Sequence, residues 1–126
     1  MDMRTPLARV RGLGSAKEGA DHFWRQRLTA IANVPLTLFL LVTLIVYGGA
    51  DYAVVASHLA SPLVAIPMLL LVLSAAVHMR LGMQVVIEDY VSSEGLKIVG
   101  LMLNTFFSAA VGLAGVFAIL KLSFGA

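Results

Sequence analysis

Three long apolar stretches constrain this chain more than any other feature of its sequence. The first, residues 28–49, contains no charged residue. The second covers residues 61–88 and is uncharged from 63 to 77, and the third covers residues 96–122. Each is long enough to cross the hydrocarbon core of a bilayer, which takes a helix of about 20 residues. We therefore predict an all-α membrane protein with three transmembrane helices at about these positions.

The composition supports a membrane protein and excludes several other classes. Of the 126 residues, 60% are hydrophobic and 13% are charged, whereas soluble domains are about 25% charged. Mean hydropathy is +0.92, and the length supports one domain at most. The absence of cysteine excludes a disulfide, a cysteine-ligated metal, an iron–sulfur cluster and a thiol nucleophile within this chain. The basic residues do not alternate with stacking aromatics, which argues against nucleic-acid binding.

The basic residues are concentrated before the first apolar stretch. Six of the nine lie there, Lys97 follows the second stretch, and the connection between the first two stretches has none. The positive-inside rule then predicts that the N-terminus and the turn at 89–97 face the cytoplasm (or the matrix), and that the 50–60 connection and the C-terminus face outward, which in a bacterium is the periplasm. We divide the chain into a cytoplasmic or interfacial segment, 1–27, and a transmembrane domain, 28–126. The six basic residues are Arg4, Arg9, Arg11, Lys17, Arg25 and Arg27.

Prolines give further expectations about where helices begin. Pro35 is expected near the start of the first span, where its missing N–H costs least. Ser61 followed by Pro62 is typical of an N-cap and a first-turn proline, so the second span is expected to begin there. Residues 52–60 are expected to form a short connection, with His58 exposed on the outer side.

A stripe of small and polar side chains is predicted on the second span. At about 100° per residue, three residues lie within about 40° of His78 around the helix: Ser74, Gly82 and Asp89. A ligand-type side chain next to a glycine would let a flat group lie against this helix. Arg80 is about 200° round from His78 and therefore points away from the stripe.

His78 is an ionisable side chain at membrane depth, about 16 Å from Asp89. Such a group is costly in lipid and faces protein, water or a cofactor. Two interpretations remain open: a neutral histidine bonding a neighbouring helix, or a metal or haem ligand. His22 and His58 lie at opposite membrane edges, so neither can face His78 across one porphyrin. A six-coordinate haem would therefore need a histidine from a partner subunit.

The pattern H-x3-G-x6-D-Y over residues 78–90 resembles the second transmembrane helix of the small hydrophobic anchor subunit of succinate dehydrogenase, respiratory complex II. Residues 19–30 resemble the segment before the first span in alphaproteobacterial forms, and the resemblance covers roughly residues 15–122. It implies a hetero-oligomer with a flavoprotein subunit, an iron–sulfur subunit and a second haem-ligating membrane anchor. This chain would pack with that second anchor as a helical bundle in the bacterial cytoplasmic membrane.

The resemblance also implies roles for individual residues. His78 matches one axial ligand of haem b, and Tyr90 matches the tyrosine whose hydroxyl bonds a carbonyl oxygen of ubiquinone. Asp89 would orient the surroundings of Tyr90, bond an arginine or pass protons; the alternative is a solvated helix-end carboxylate. Arg27 matches an arginine able to pair with a haem propionate; the alternative is an anchor on lipid phosphate. Trp24 is expected at the membrane interface, with a quinone contact as the second option.

The function that the resemblance implies is anchoring and electron transfer in a succinate:ubiquinone oxidoreductase of the tricarboxylic acid cycle and the respiratory chain, with succinate oxidised on another subunit. Alternatives are a cofactor-free structural anchor or assembly subunit, and the equivalent anchor of a fumarate reductase. A small transporter is disfavoured because His78 and Arg80 face different ways and the halves show no repeat. Arg80 itself is left open between snorkelling, a propionate contact and a partner subunit.

Overall fold

The computed structural model of the chain describes residues 4–12 and 18–125, and every regular element in these ranges is a helix. Three of the helices are long and apolar enough to cross a membrane. The predicted all-α architecture with three spans is therefore confirmed, while Lys17 lies outside the described residues. The five helices are α1 (Pro6–Val10), α2 (Glu18–Tyr47), α3 (Tyr52–Leu59), α4 (Pro62–Tyr90) and α5 (Glu94–Ser123).

The long helices extend beyond the predicted spans. α2 begins at Glu18, not near residue 28, because the polar residues before Leu28 continue the same helix. Its 30 residues make it about 45 Å long, which exceeds the ~30 Å of the hydrocarbon core. The expectation that Pro35 lies near a helix start is wrong, since Pro35 lies inside α2, where it leaves one backbone carbonyl without its helical partner.

Capping residues fix where α4 and α5 begin. Ser61 is the N-cap of α4 and Pro62 occupies its first turn, as the sequence predicts, although the Ser61 side chain makes no capping hydrogen bond. Ser93 caps α5, because its Oγ accepts the Leu96 N–H at 3.5 Å. Glu94 in the first turn of α5 is favourable beside the positive end of the helix dipole.

The connection between α2 and α4 is helical, which the sequence did not predict. α3 packs against α4 and α5, and Leu59 at its end is buried. The His58 ring stacks on Tyr47 with centroids 4.0 Å apart and an interplanar angle of 24°. The expectation that His58 is simply exposed is therefore wrong, because the turn after α2 brings α3 back onto the last residue of α2.

α4 lies between α2 and α5 and runs antiparallel to both. Residues late in α4 lie beside residues early in α2, as the close pair Gly82 and Gln26 shows. Residues late in α4 also lie beside residues early in α5, as the close pair Ile87 and Gly100 shows. The start of α2, the end of α4 and the start of α5 therefore lie at one end of the molecule.

Small residues allow α4 and α5 to approach closely. A Cβ added at Gly112 would lie 3.4 Å from Ala76 Cβ, and one added at Gly115 would lie 2.7 Å from Val72 Cγ1. Polar groups add hydrogen bonds to this contact, since buried Asn104 donates from Nδ2 to the backbone oxygen of Arg80 at 2.9 Å. Both features are typical of helix pairs that associate in lipid, where the hydrophobic effect does not drive packing.

Most of the large apolar side chains lie on the outer surface of the three long helices. No residue is buried in the most apolar part of α2, and only 17% of the residues are buried in the corresponding parts of α4 and α5. Apolar patches of this size mark surfaces that meet lipid or another protein. The outward faces of these helices are therefore suited to the bilayer and to neighbouring subunits.

Candidate functional site

Polar side chains meet where α2 packs against α4. We call this contact the α2–α4 seam, and it consists of Gln26 and Thr29 on α2 with Ser74, His78 and Gly82 on α4. The three α4 residues are spaced four apart, so they follow one another along one face of the helix. Three of the four residues of the predicted stripe therefore lie in the seam, while the fourth, Asp89, is exposed near the end of α4.

His78 is half-buried in the seam and bonds across it. Its Nδ1 lies 3.1 Å from Thr29 Oγ1. Four residues earlier, Ser74 Oγ donates to the backbone oxygen of Thr29 at 3.3 Å. Residues on two successive turns of α4 therefore form hydrogen bonds with the same residue of α2. The Nε2 of His78 has no hydrogen-bond partner among the described residues.

α2 covers the glycine of the stripe. A Cβ added at Gly82 would lie 3.4 Å from Nε2 of Gln26, so the Gln26 side chain lies directly against this position. A flat group cannot therefore lie between α2 and α4 at Gly82, which the sequence alone did not show. Any group that His78 binds would approach from the side of the ring that α2 leaves open.

The polar face of α2 was not predicted from the sequence. His22, Gln26, Thr29 and Asn33 are spaced 4, 3 and 4 residues apart, which places them on one face of the helix, the face that meets α4. This spacing is the signal that would have found them. Three of their buried polar atoms have no hydrogen-bond partner within residues 4–12 and 18–125: His22 Nε2, Gln26 Oε1 and Asn33 Oδ1.

Arg80 points away from the seam, as predicted. Its Nε donates to Thr105 Oγ1 of α5 at 3.5 Å. Beside it, a groove of about 590 Å³ runs along α4 and α5 between apolar and small side chains that include Leu73, Ala109 and Leu113. The guanidinium therefore belongs to the α5 side of α4, opposite His78.

Tyr90 is the last residue of α4 and is 83% exposed. Asp89 beside it is also exposed, and Glu88 accepts a hydrogen bond from Gln84 Nε2 at 2.9 Å. No described residue is hydrogen-bonded to the Tyr90 hydroxyl, so this exposed group can bond a molecule or subunit outside the chain. A closed pocket at this end of α4 would need walls from another subunit.

Trp24 and Arg27 contact the same aromatic ring near the start of α2. The Arg27 guanidinium carbon lies 4.9 Å from the centroid of Phe23, and Trp24 meets that ring edge-on at 6.2 Å. Trp24 is 69% exposed, and its place at the membrane interface stays a prediction. Arg27 lies about 160° round α2 from Thr29, so it does not face the seam. Its contact with a propionate stays a prediction.

The comparison with known proteins identifies the family. Residues 1–118 match the family described as "Succinate dehydrogenase/Fumarate reductase transmembrane subunit". The chain belongs to this family. The resemblance drawn from residues 78–90 is thereby confirmed, and three apolar helices in a transmembrane-subunit family make the chain a multi-pass membrane protein.

Three relatives are described as membrane anchor subunits of succinate dehydrogenase. The chain is 38% identical over 96 residues to the "Succinate dehydrogenase hydrophobic membrane anchor subunit" of Rickettsia bellii, covering 76% of this chain and 77% of that protein. It is 32% identical over 123 residues to the protein of the same description from Paracoccus denitrificans, covering 97% of this chain and 94% of that protein. The "Succinate dehydrogenase membrane anchor subunit" of Reclinomonas americana is 31% identical over 90 residues, which is 69% of this chain and 75% of that protein.

Proposed function

We propose that this chain anchors a succinate dehydrogenase in the bacterial cytoplasmic membrane and supplies His78 as one axial ligand of a b-type haem. The proposal includes a cytoplasmic N-terminus and a second anchor subunit that supplies the other histidine. The observation that carries the haem assignment is the position of His78, half-buried in a membrane-spanning helix with Nδ1 bonded and Nε2 unpartnered among the described residues. Family membership supports the anchoring role.

The residues around His78 fit such a group. Histidine binds haem iron through one ring nitrogen, while the other bonds a nearby acceptor that fixes the ring. Thr29 is placed to be that acceptor. When bound, a b-type haem supplies a one-electron carrier; the chain's own contribution is to hold the imidazole at a fixed depth and angle. His22 lies near the start of α2, two turns from Thr29, and His58 lies in α3, so the second ligand is assigned to a partner subunit.

The quinone assignment rests on the end of α4. By the proposed orientation, Tyr90 lies at the cytoplasmic side, where an iron–sulfur subunit would deliver electrons. Its phenol would donate a hydrogen bond to a quinone carbonyl oxygen, which gains negative charge on reduction. Asp89 next to it and nearby water would lie on a short path for the two protons that quinol formation takes up. The flavoprotein, iron–sulfur and second anchor subunits would complete the site.

Deletion of the chain tests the anchoring role. We expect cells that lack it to release succinate-oxidising activity, measured with a soluble dye as electron acceptor, from the membrane into the soluble fraction. Succinate–ubiquinone activity of the membranes should be lost at the same time. Dehydrogenase that stays on the membrane and still reduces ubiquinone would contradict the proposal.

Tyr90→Phe tests the quinone contact. We expect succinate–quinone turnover to fall about tenfold; the loss stays below the ~10²–10³ of a buried oxyanion donor because Tyr90 is at the exposed end of its helix. Succinate–dye turnover, which bypasses the quinone, should not change. Tyr52→Phe is the matched control, since Tyr52 is also exposed but begins α3 at the opposite end of the molecule. Unchanged quinone turnover and affinity in Tyr90→Phe would remove Tyr90 from the site.

A further inference from the structure

We infer that Thr29 is a positioning residue for His78: its hydroxyl oxygen accepts the Nδ1–H of the imidazole and directs the lone pair of Nε2 away from α2. This inference rests on the proposed role of His78 as a haem ligand. Its starting observation is the 3.1 Å distance between Thr29 Oγ1 and His78 Nδ1, the one hydrogen bond that links these two side chains across the seam.

A count of protons fixes the direction of this bond. Thr29 Oγ1 also lies 2.8 Å from the backbone oxygen of Arg25 and 3.1 Å from that of Gln26. Backbone oxygens only accept, and a threonine hydroxyl has one proton, so that proton points to the carbonyls. The hydroxyl must then accept from His78. In a neutral imidazole with its proton on Nδ1, Nε2 carries the free lone pair and is the nitrogen that can bind a metal.

The backbone of Thr29 strengthens the arrangement. Ser74 Oγ donates to the Thr29 carbonyl oxygen at 3.3 Å, one turn of α4 away from His78. Thr29 is therefore held in place twice, by its own helix through the hydroxyl and by α4 through the backbone oxygen. A fixed acceptor restricts rotation of the His78 ring about χ2 as well as selecting its tautomer.

An acceptor on the second ring nitrogen makes a histidine ligand more electron-donating. Thr29 would therefore stabilise the oxidised form of a haem bound through His78. Removing the acceptor should favour the reduced form and raise the midpoint potential of the haem. Without Thr29 the His78 ring could rotate about χ2. The g-values of the low-spin ferric haem should then change, because they report the orientation of the axial imidazole planes.

Thr29→Val tests the inference in the purified complex. Valine keeps the β-branched shape but has no acceptor, so we expect a higher haem midpoint potential and shifted g-values. At the potential where half of the wild-type haem is reduced, the reduced form should outnumber the oxidised form several-fold. Thr29→Ser, which keeps the hydroxyl, should restore the wild-type potential and g-values.

Thr43→Val is the matched control. Thr43 lies in the same helix and donates in the same way to the carbonyl of Phe39 at 3.0 Å, so its replacement removes an equivalent bond far from His78. Wild-type potential and g-values in Thr29→Val would overturn the inference, even where His78→Ala shows that His78 binds the haem. If the Thr29→Val complex contains no haem, the test uses Thr29→Cys instead, because a thiol is a weak acceptor of similar shape to the serine hydroxyl. A shifted potential in Thr29→Cys beside a normal one in Thr29→Ser supports the inference, and equal potentials refute it.

Discussion

His78→Ala is expected to abolish the low-spin b-type absorption of the purified complex. The chain has no cysteine, and its other two histidines lie outside the three predicted spans, so no second histidine or thiolate of this chain is placed to take over the ligand position. A haem left with one ligand from a partner subunit would dissociate or become high-spin. The reduced-minus-oxidised visible spectrum of complex purified from wild-type and mutant membranes measures the effect directly.

His58→Ala is the control for loss of a histidine. His58 stacks on Tyr47 and is half-buried, so its removal disturbs packing without touching the seam. Its spectrum should match the wild type. An unchanged low-spin band in His78→Ala would end the haem-ligand proposal. The chain would then be a cofactor-free anchor, with a quinone role resting on Tyr90 alone.

Gly115→Leu is expected to prevent assembly of the complex. A Cβ at this position already lies 2.7 Å from Val72 Cγ1 and 3.3 Å from its Cγ2, and the stiff valine in the facing helix has little freedom to move. Overpacking of this kind typically costs about 1–3 kcal/mol, and a leucine adds three more carbon atoms beyond the Cβ that already clashes. α4 and α5 would have to separate, which would also break the bond from Asn104 to the Arg80 backbone. The measurement is the amount of assembled complex in membranes, by native electrophoresis.

Gly95→Leu makes the same substitution in the same helix without the clash. A Cβ at Gly95 meets nothing within 4 Å, so we expect normal amounts of complex. If Gly115→Leu also assembles normally, α4 and α5 do not need the close approach seen here, and the packing assigned to Gly115 is wrong. If both variants fail, leucine at Gly95 itself disturbs a contact of α5 with a partner subunit, since it has no clash within the chain.

The sequence predicted features that depend on composition and on the period of one helix. The length needed to cross a bilayer, together with the scarcity of charged residues, predicted the three spans. The helical rotation of about 100° per residue placed Ser74 and Gly82 beside His78, and Arg80 on the opposite side of the helix. The structure agrees on each point. The Asp–Tyr pair and its spacing from His78, together with residues 19–30, were enough to indicate the family, and the family match over residues 1–118 confirms it.

Features that depend on two elements together were not predicted. Which residue of α2 meets His78 depends on the relative height and rotation of two helices, and Thr29 is unremarkable within an apolar run until α4 is placed beside it. The position of Pro35 was misjudged because a span was equated with a helix, and a helix can continue past the lipid. The helical form of α3 was missed because a short segment becomes stable largely through its packing on other helices.

Hydrogen bonds hold α4 on two opposite sides. His78 is tied to α2 through its side chain, and Arg80, only two residues later on the opposite face, is tied to α5 through its backbone oxygen. Turning α4 about its long axis would break one bond as it strained the other, so the helix is locked against rotation at this depth. A haem bound through His78, as proposed above, would then gain or lose an electron with little movement of its ligand, and a small reorganisation energy speeds electron transfer when the driving force is low.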